Sequence, residues 1–128
     1  MKILFYGFQH GHIFGLYHLV KNRTDVEIVA CLEKDENKRN EIASVHGIVC
    51  DEKEYAFWLT QEVDIVAIGL KYGERGEAIA QALRAGKNVI SDKPICTSRE
   101  ELDTLQTLAK EKGVKLTCML DLRYQVST

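Results

Sequence analysis

The sequence predicts an α/β fold, a doubly wound, mostly parallel sheet of about six strands with helices on both faces. Three observations carry that expectation. Short apolar runs rich in branched residues alternate with stretches of helical periodicity from one end of the chain to the other. The runs are nearly continuous rather than alternating between apolar and polar, as strands covered on both faces are. No repeat, low-complexity stretch or linker interrupts the order, and the single proline is Pro94.

Lys2 to Tyr6 is the first apolar run and stops at Gly7, after which Ile13, Leu16, Tyr17 and Val20 recur at helical spacing. Val26 to Leu32 reads as the second strand, and Glu36 to Val45 as a polar helix with Ile42 and Val45 inward. Gly47 to Cys50 is expected as a short third strand, followed by a helix capped by Asp51 that carries Tyr55, Trp58 and Leu59. Ile65 to Ile68 is the fourth strand. Glu74 to Ala85 is a helix with Ile79, Ala82 and Leu83 buried, stopped by Gly86, and Asn88 to Ser91 is the fifth strand. Ser98 and Glu101 form a capping box that opens a helix running to about Lys112, with Leu102, Leu105, Leu108 and Ala109 inward. Gly113 ends it, and Val114 to Leu120 is the sixth strand.

At 128 residues, 45% hydrophobic and 28% charged, the chain suffices for one domain with a proper core. A formal net charge of -2 gives no basic excess to draw nucleic acid or an anionic membrane. No apolar run is long enough for a membrane span, and the expected location is the cytoplasm. Cys31, Cys50, Cys96 and Cys118 are far apart, without a C-x-x-C pair, and read as free thiols.

The turn after the first strand, Gly7-Phe8-Gln9-His10-Gly11-His12, stands where a Rossmann-type fold brings its backbone close to a pyrophosphate. A G-x-G-x-x-G pattern starting at Gly7 needs glycine where Gln9 and His12 stand, so the fingerprint is degenerate, and Gly11 is out of register. The backbone amides can still meet phosphate, and a histidine can add a donor. Glu33 closes the second strand 26 residues after Gly7, where a carboxylate reads the ribose 2′-hydroxyl and repels a 2′-phosphate. This favours NAD over NADP, with Lys34 and Arg39 pulling the other way. His10 and His12 raise a metal site, but no nearby Cys or Asp completes a tetrahedral set and none is expected. His46 suits the C-terminal end of its helix.

Ligands in open α/β sheets bind beyond the carboxyl ends of the strands. Gly69, Leu70, Lys71 and Tyr72 follow the fourth strand and are candidates for ribose or nicotinamide contacts. Ser91-Asp92-Lys93-Pro94 follows the fifth. A lysine beside an acid can donate to a substrate hydroxyl and, when desolvated, exchange a proton with it, and Pro94 holds Lys93 extended.

Taken together, Gly7, Glu33-Lys34-Asp35, Val63 to Ile68 and above all Ala82 to Pro94 make the chain resemble the N-terminal domain of the glucose-fructose oxidoreductase and inositol dehydrogenase family (Gfo/Idh/MocA). The Ala82 to Pro94 block is similar to the family's segment ending in Glu-Lys-Pro. The resemblance implies a nicotinamide-dependent oxidoreductase acting on a sugar or polyol, with Lys93 as its active-site lysine and Asp92 as the acidic neighbour. Leu70 to Arg75 departs from the family's Thr-Pro-Asn-x-x-His loop. Leu122-Arg123-Tyr124 is similar to the family's Arg-Arg-Phe junction. The expectation is therefore a cofactor domain over 1–120 and, over 121–128, the start of a connection to an absent substrate domain. Little or no turnover is expected of this chain alone. Exposure of the surface that domain would cover predicts a homo-oligomer. A non-catalytic nucleotide- or sugar-sensing module, consistent with the degenerate turn, is the alternative.

Overall fold

The computed structural model describes residues 1–9, 11–92 and 98–118. In chain order the elements are β1 (Lys2–Tyr6), α1 (Gly11–Lys21), β2 (Glu27–Leu32), α2 (Glu36–His46), α3 (Tyr55–Leu59) and β3 (Ile65–Ile68). A 3-10 turn (Tyr72–Glu74) then leads into α4 (Arg75–Arg84), β4 (Asn88–Ser91), α5 (Arg99–Lys112) and β5 (Leu116–Cys118). The sheet order is β2-β1-β3-β4-β5, with every neighbouring pair parallel. The doubly wound α/β fold is thus as expected, with five strands among the described residues.

Gly47 to Cys50 is not a strand, and the reason lies in how α2 stops. Gly47 takes the left-handed conformation at φ 69°, its amide bonds Ala43, and the amide of Ile48 turns back to Ile42. The segment then touches the sheet through one backbone bond, Asp51 N–H to the Cys31 carbonyl. Ile48 is buried and Val49 is exposed, but no ladder forms. Asp51 does not cap α3 either; it accepts from the amide of Lys53, while Glu54 holds the cap position without a side-chain bond. Ser98 caps α5 as predicted, accepting from the amide of Glu101. The last predicted strand is realised over Leu116–Cys118, and Met119 and Leu120 lie outside the described residues.

Strand β1 is buried on both faces, and its side chains alternate between two cores. Ile3 and Phe5 join Ile13, Tyr17 and Val20 of α1 and Ile42 of α2. Leu4 joins Ile79 and Leu83 of α4, with Leu105 and Ala109 of α5. Each helix presents its apolar stripe to one face, so the periodicities of the sequence become two helical layers around a sheet.

Tyr55 ties α3 to α4. Its ring stacks on Tyr6 at 4.1 Å, its hydroxyl donates to the Ala78 carbonyl at 2.7 Å, and burial pushes the phenol well above its ordinary range. Tyr55→Phe keeps the ring and removes that buried hydrogen bond, leaving the Ala78 carbonyl with its place in the α4 ladder, so urea denaturation should show a loss of about 1 kcal/mol. Unchanged stability would show that water replaces the bond at no cost.

Candidate functional site

The strand order places a topological switch between β1 and β3, whose connections leave in opposite directions. Their carboxyl ends are welded by backbone. Gly7 N–H donates to Leu32 O, Gly69 N–H to Tyr6 O, and Gln9 N–H to Gly69 O at 2.9 Å. Gly7 lies at φ 92°, and a Cβ there would stand 2.7 Å from the backbone nitrogen of Leu70. On Gly69 it would stand 2.5 Å from the Gly7 carbonyl. The first glycine of the turn is therefore required by the β1–β3 approach itself.

Beyond it, Gly11 opens α1, with open space where a Cβ would be and no acidic residue in the helix's first turn. The positive end of α1 is unopposed by its own sequence, as an anion-binding turn requires. Phe8 is wholly buried, so its backbone alone is available to a ligand. His10 lies outside the described residues.

Glu33 is 5% exposed and faces the turn rather than solvent. One carboxylate oxygen accepts from the amide of Phe8 at 2.7 Å; the other accepts from the Gln9 side chain at 3.1 Å and the amide of Asp35 at 3.0 Å. Gln9, in the place of the second fingerprint glycine, is thus a strut between the turn and the end of β2. A groove of about 390 Å³ opens beside it, lined by Tyr6, Glu33, Lys34, Arg39 and Tyr55 among others. Lys34 donates to Glu74 at 2.9 Å, which holds its ammonium charged above the ordinary range.

The end of β4 supplies the other half. Asp92 is 2% exposed, and its Oδ1 is 2.9 Å from Nδ1 of His12, whose side chain is 48% exposed. This contact joins the turn between β1 and α1 to the strand end that precedes Lys93. Arg75, 1% exposed, lies behind Asp92: Nε donates to the Leu70 carbonyl at 2.9 Å and Nη1 to the Asp92 carbonyl at 3.5 Å. Burial opposes the Arg75 charge, and the Asp92 carboxylate supports it.

Of the loop candidates, Gly69 and Leu70 are buried, with the Leu70 side chain in the core beside Ile68. Lys71 and Tyr72 are exposed. Lys93, Pro94 and Cys96 lie outside the described residues. Among the described residues no three His, Cys, Asp or Glu side chains are grouped to hold a metal, and no helix is long and apolar enough to cross a membrane.

Residues 1–120 match the Gfo/Idh/MocA family model, described as the oxidoreductase family, NAD-binding Rossmann fold. The chain belongs to this family. Among curated relatives, dTDP-3,4-didehydro-2,6-dideoxy-alpha-D-glucose 3-reductase of Actinomadura kijaniata is 40% identical over 55 residues, 43% of this chain and 17% of that protein. Two solved structures share the fold. An NAD-binding protein from Listeria innocua has a TM-score of 0.74 at 27% identity, covering 91% of this chain and 34% of that one. KijD10, a 3-ketoreductase from Actinomadura kijaniata in complex with TDP-benzene and NADP, has a TM-score of 0.76 at 23% identity, covering 92% and 37%. This Gfo/Idh/MocA chain therefore spans about a third of the length of the solved relatives it matches.

The site of this family member holds two features that sequence reasoning missed. Arg75 reads in the sequence as an ordinary charge at a helix start, yet it is buried against the site. The Gln9–Glu33 contact is a long-range bond between two positions treated separately, and no spacing rule links them.

Proposed function

We propose that this chain is the NAD(H)-binding domain of an oxidoreductase that exchanges hydride with a carbinol or keto carbon of a sugar or polyol, nucleotide-linked sugars included. The observation that carries the reading is the meeting, at the switch point of the sheet, of the open N-terminus of α1, the buried Glu33 and the His12–Asp92 pair. The residues fit a dinucleotide. Gly11 leaves the turn open, and the groove beside Glu33 is of a size for a nucleoside.

The nicotinamide ring supplies the hydride acceptor or donor when bound. The chain supplies position and proton handling. Amides at the start of α1 would meet the pyrophosphate, and Lys71 and Tyr72, exposed beyond β3, would contact the ribose or nicotinamide. Lys93, next to Asp92 in the chain, takes the hydroxyl proton of a carbinol as its carbon loses hydride, and returns it to the oxygen in the reductive direction. The sugar would be held in part by residues outside this cofactor-binding region, so residues 1–120 by themselves are expected to bind cofactor with little or no turnover.

NAD is favoured over NADP by charge. In the groove Lys34, Arg39 and Lys53 are outnumbered by Glu33, Asp51, Glu52 and Glu54, and Lys34 is engaged by Glu74. A 2′-phosphate would meet a net negative wall. Calorimetric titration should therefore show NADH binding tighter than NADPH, and Glu33→Gln should narrow the difference by about tenfold, roughly 1.4 kcal/mol. No binding of either cofactor at millimolar concentration overturns the reading; equal binding of the two by the unaltered chain overturns the NAD preference alone.

A further inference from the structure

We infer that the side chain of Gln9 occupies the acceptor position on Glu33 that the adenosine ribose of a dinucleotide would use, so that Gln9 holds NADH affinity down and its truncation raises it. This rests on the cofactor reading above and adds to it a residue of the turn that competes with the ligand.

Gln9 stands where the fingerprint has its second glycine. The backbone does not call for glycine there, because among the described residues only glycines have positive φ. What a glycine would supply is the absence of a side chain. The Gln9 side chain instead reaches across, with Nε2 donating to Oε2 of Glu33 at 3.1 Å. It thus runs from the turn between β1 and α1 to the end of β2. In the cofactor reading the adenosine half of the dinucleotide takes the same path, its pyrophosphate at the turn and its ribose at the carboxylate.

The bonding of Glu33 turns that overlap into a competition. All three of its contacts come from N–H groups, so both of its oxygens act as acceptors. Oε1 accepts from the Phe8 amide at 2.7 Å, and Oε2 accepts from the Asp35 amide at 3.0 Å as well as from Gln9. A carboxylate oxygen offers two lone pairs, and on Oε2 both are taken. A ribose hydroxyl that donates to Oε2 must therefore displace one of the two donors. The Asp35 amide is backbone and stays. Gln9 is half-buried, and the bond to Glu33 is its single side-chain hydrogen bond among the described residues, so it is the donor that can leave. Nor does Glu33 need Gln9 to keep its place. The Phe8 and Asp35 amides hold it at both oxygens, and the Gln9 backbone is fixed separately by its own amide, 2.9 Å from the Gly69 carbonyl. Truncating Gln9 leaves the turn and the carboxylate where they are and frees one acceptor position on a residue that lines the groove.

The test is calorimetric titration of the unaltered chain, Gln9→Ala and Gln9→Gly with NADH, with urea denaturation to establish that both variants are folded. Each variant should bind NADH about tenfold more tightly, the scale of one hydrogen bond to a charged acceptor regained by the ligand. An NADH analogue built on 2′,3′-dideoxyadenosine keeps the pyrophosphate and lacks the ribose hydroxyls, and its affinity should change little. Unchanged or weaker NADH binding by the folded variants would make Gln9 a support of the site, which overturns the inference and leaves the cofactor reading intact. An equal gain for NADH and the analogue does the same, because it moves the effect of Gln9 to the pyrophosphate. Loss of folding in both variants also overturns it, since Gln9 is then indispensable to the turn. Absence of NADH binding by the unaltered chain and by both variants overturns the inference and the cofactor reading together.

Discussion

Gly7→Ala should destabilise the domain by roughly 2–4 kcal/mol, from left-handed strain at a residue with a Cβ and from overpacking. Both contributions are visible at the same atom. The backbone sits at φ 92°, and the new methyl would stand 2.7 Å from the Leu70 side chain and backbone nitrogen and 2.9 Å from the Gly69 carbonyl carbon. Two of these neighbours are backbone, so relief requires β1 and β3 to part at the switch point. The Gln9–Gly69 bond that sets the turn's position would go with them. Gly73→Ala is the matched control, because nothing lies within 4 Å of a Cβ there. Urea denaturation should separate the two variants clearly, and cofactor affinity should fall in Gly7→Ala even under conditions where it is folded. Equal stability of the two would show that the strand ends are not held by this contact.

That expectation also bears on what the sequence makes legible. Gly7 was found by a motif whose rationale is pyrophosphate approach, yet its first duty in the structure is to let two strand ends touch. Periodicity recovers β1, β2, β3 and β4 because a strand buried on both faces cannot hide its composition. It overreads Gly47 to Cys50, where Ile48 and Cys50 supply apolar character but the αL turn at Gly47 spends the amides of Gly47 and Ile48 on closing α2. The candidate site is legible at Glu33 and Asp92, because strand ends are where a parallel sheet places its ligand-facing residues. Their partners are not. Gln9 and Glu33 are 24 residues apart, and His12 and Asp92 are 80 apart. Contacts at such separations are set by strand order, which no local pattern contains.

Arg75→Met should cost about 2–4 kcal/mol, comparable to breaking a buried polar network and far above the loss of an exposed ion pair. Methionine fills much the same space, so the loss isolates polarity from packing. The Nε–H to the Leu70 carbonyl and the Nη1 contact to the Asp92 carbonyl disappear, and with them the guanidinium that moderates a nearly buried carboxylate. The exposed Lys34–Glu74 pair is the useful contrast: at 53% and 44% exposure its removal should cost no more than about 1 kcal/mol and should vanish in high salt. The Arg75 effect should persist there, because the group is 1% exposed and salt does not reach it. Arg75→Lys restores the charge without the planar fork, so it should recover part of the stability if charge beside Asp92 dominates and little if the fork's hydrogen bonds do. Full stability in Arg75→Met would mean that Asp92 needs no buried cation.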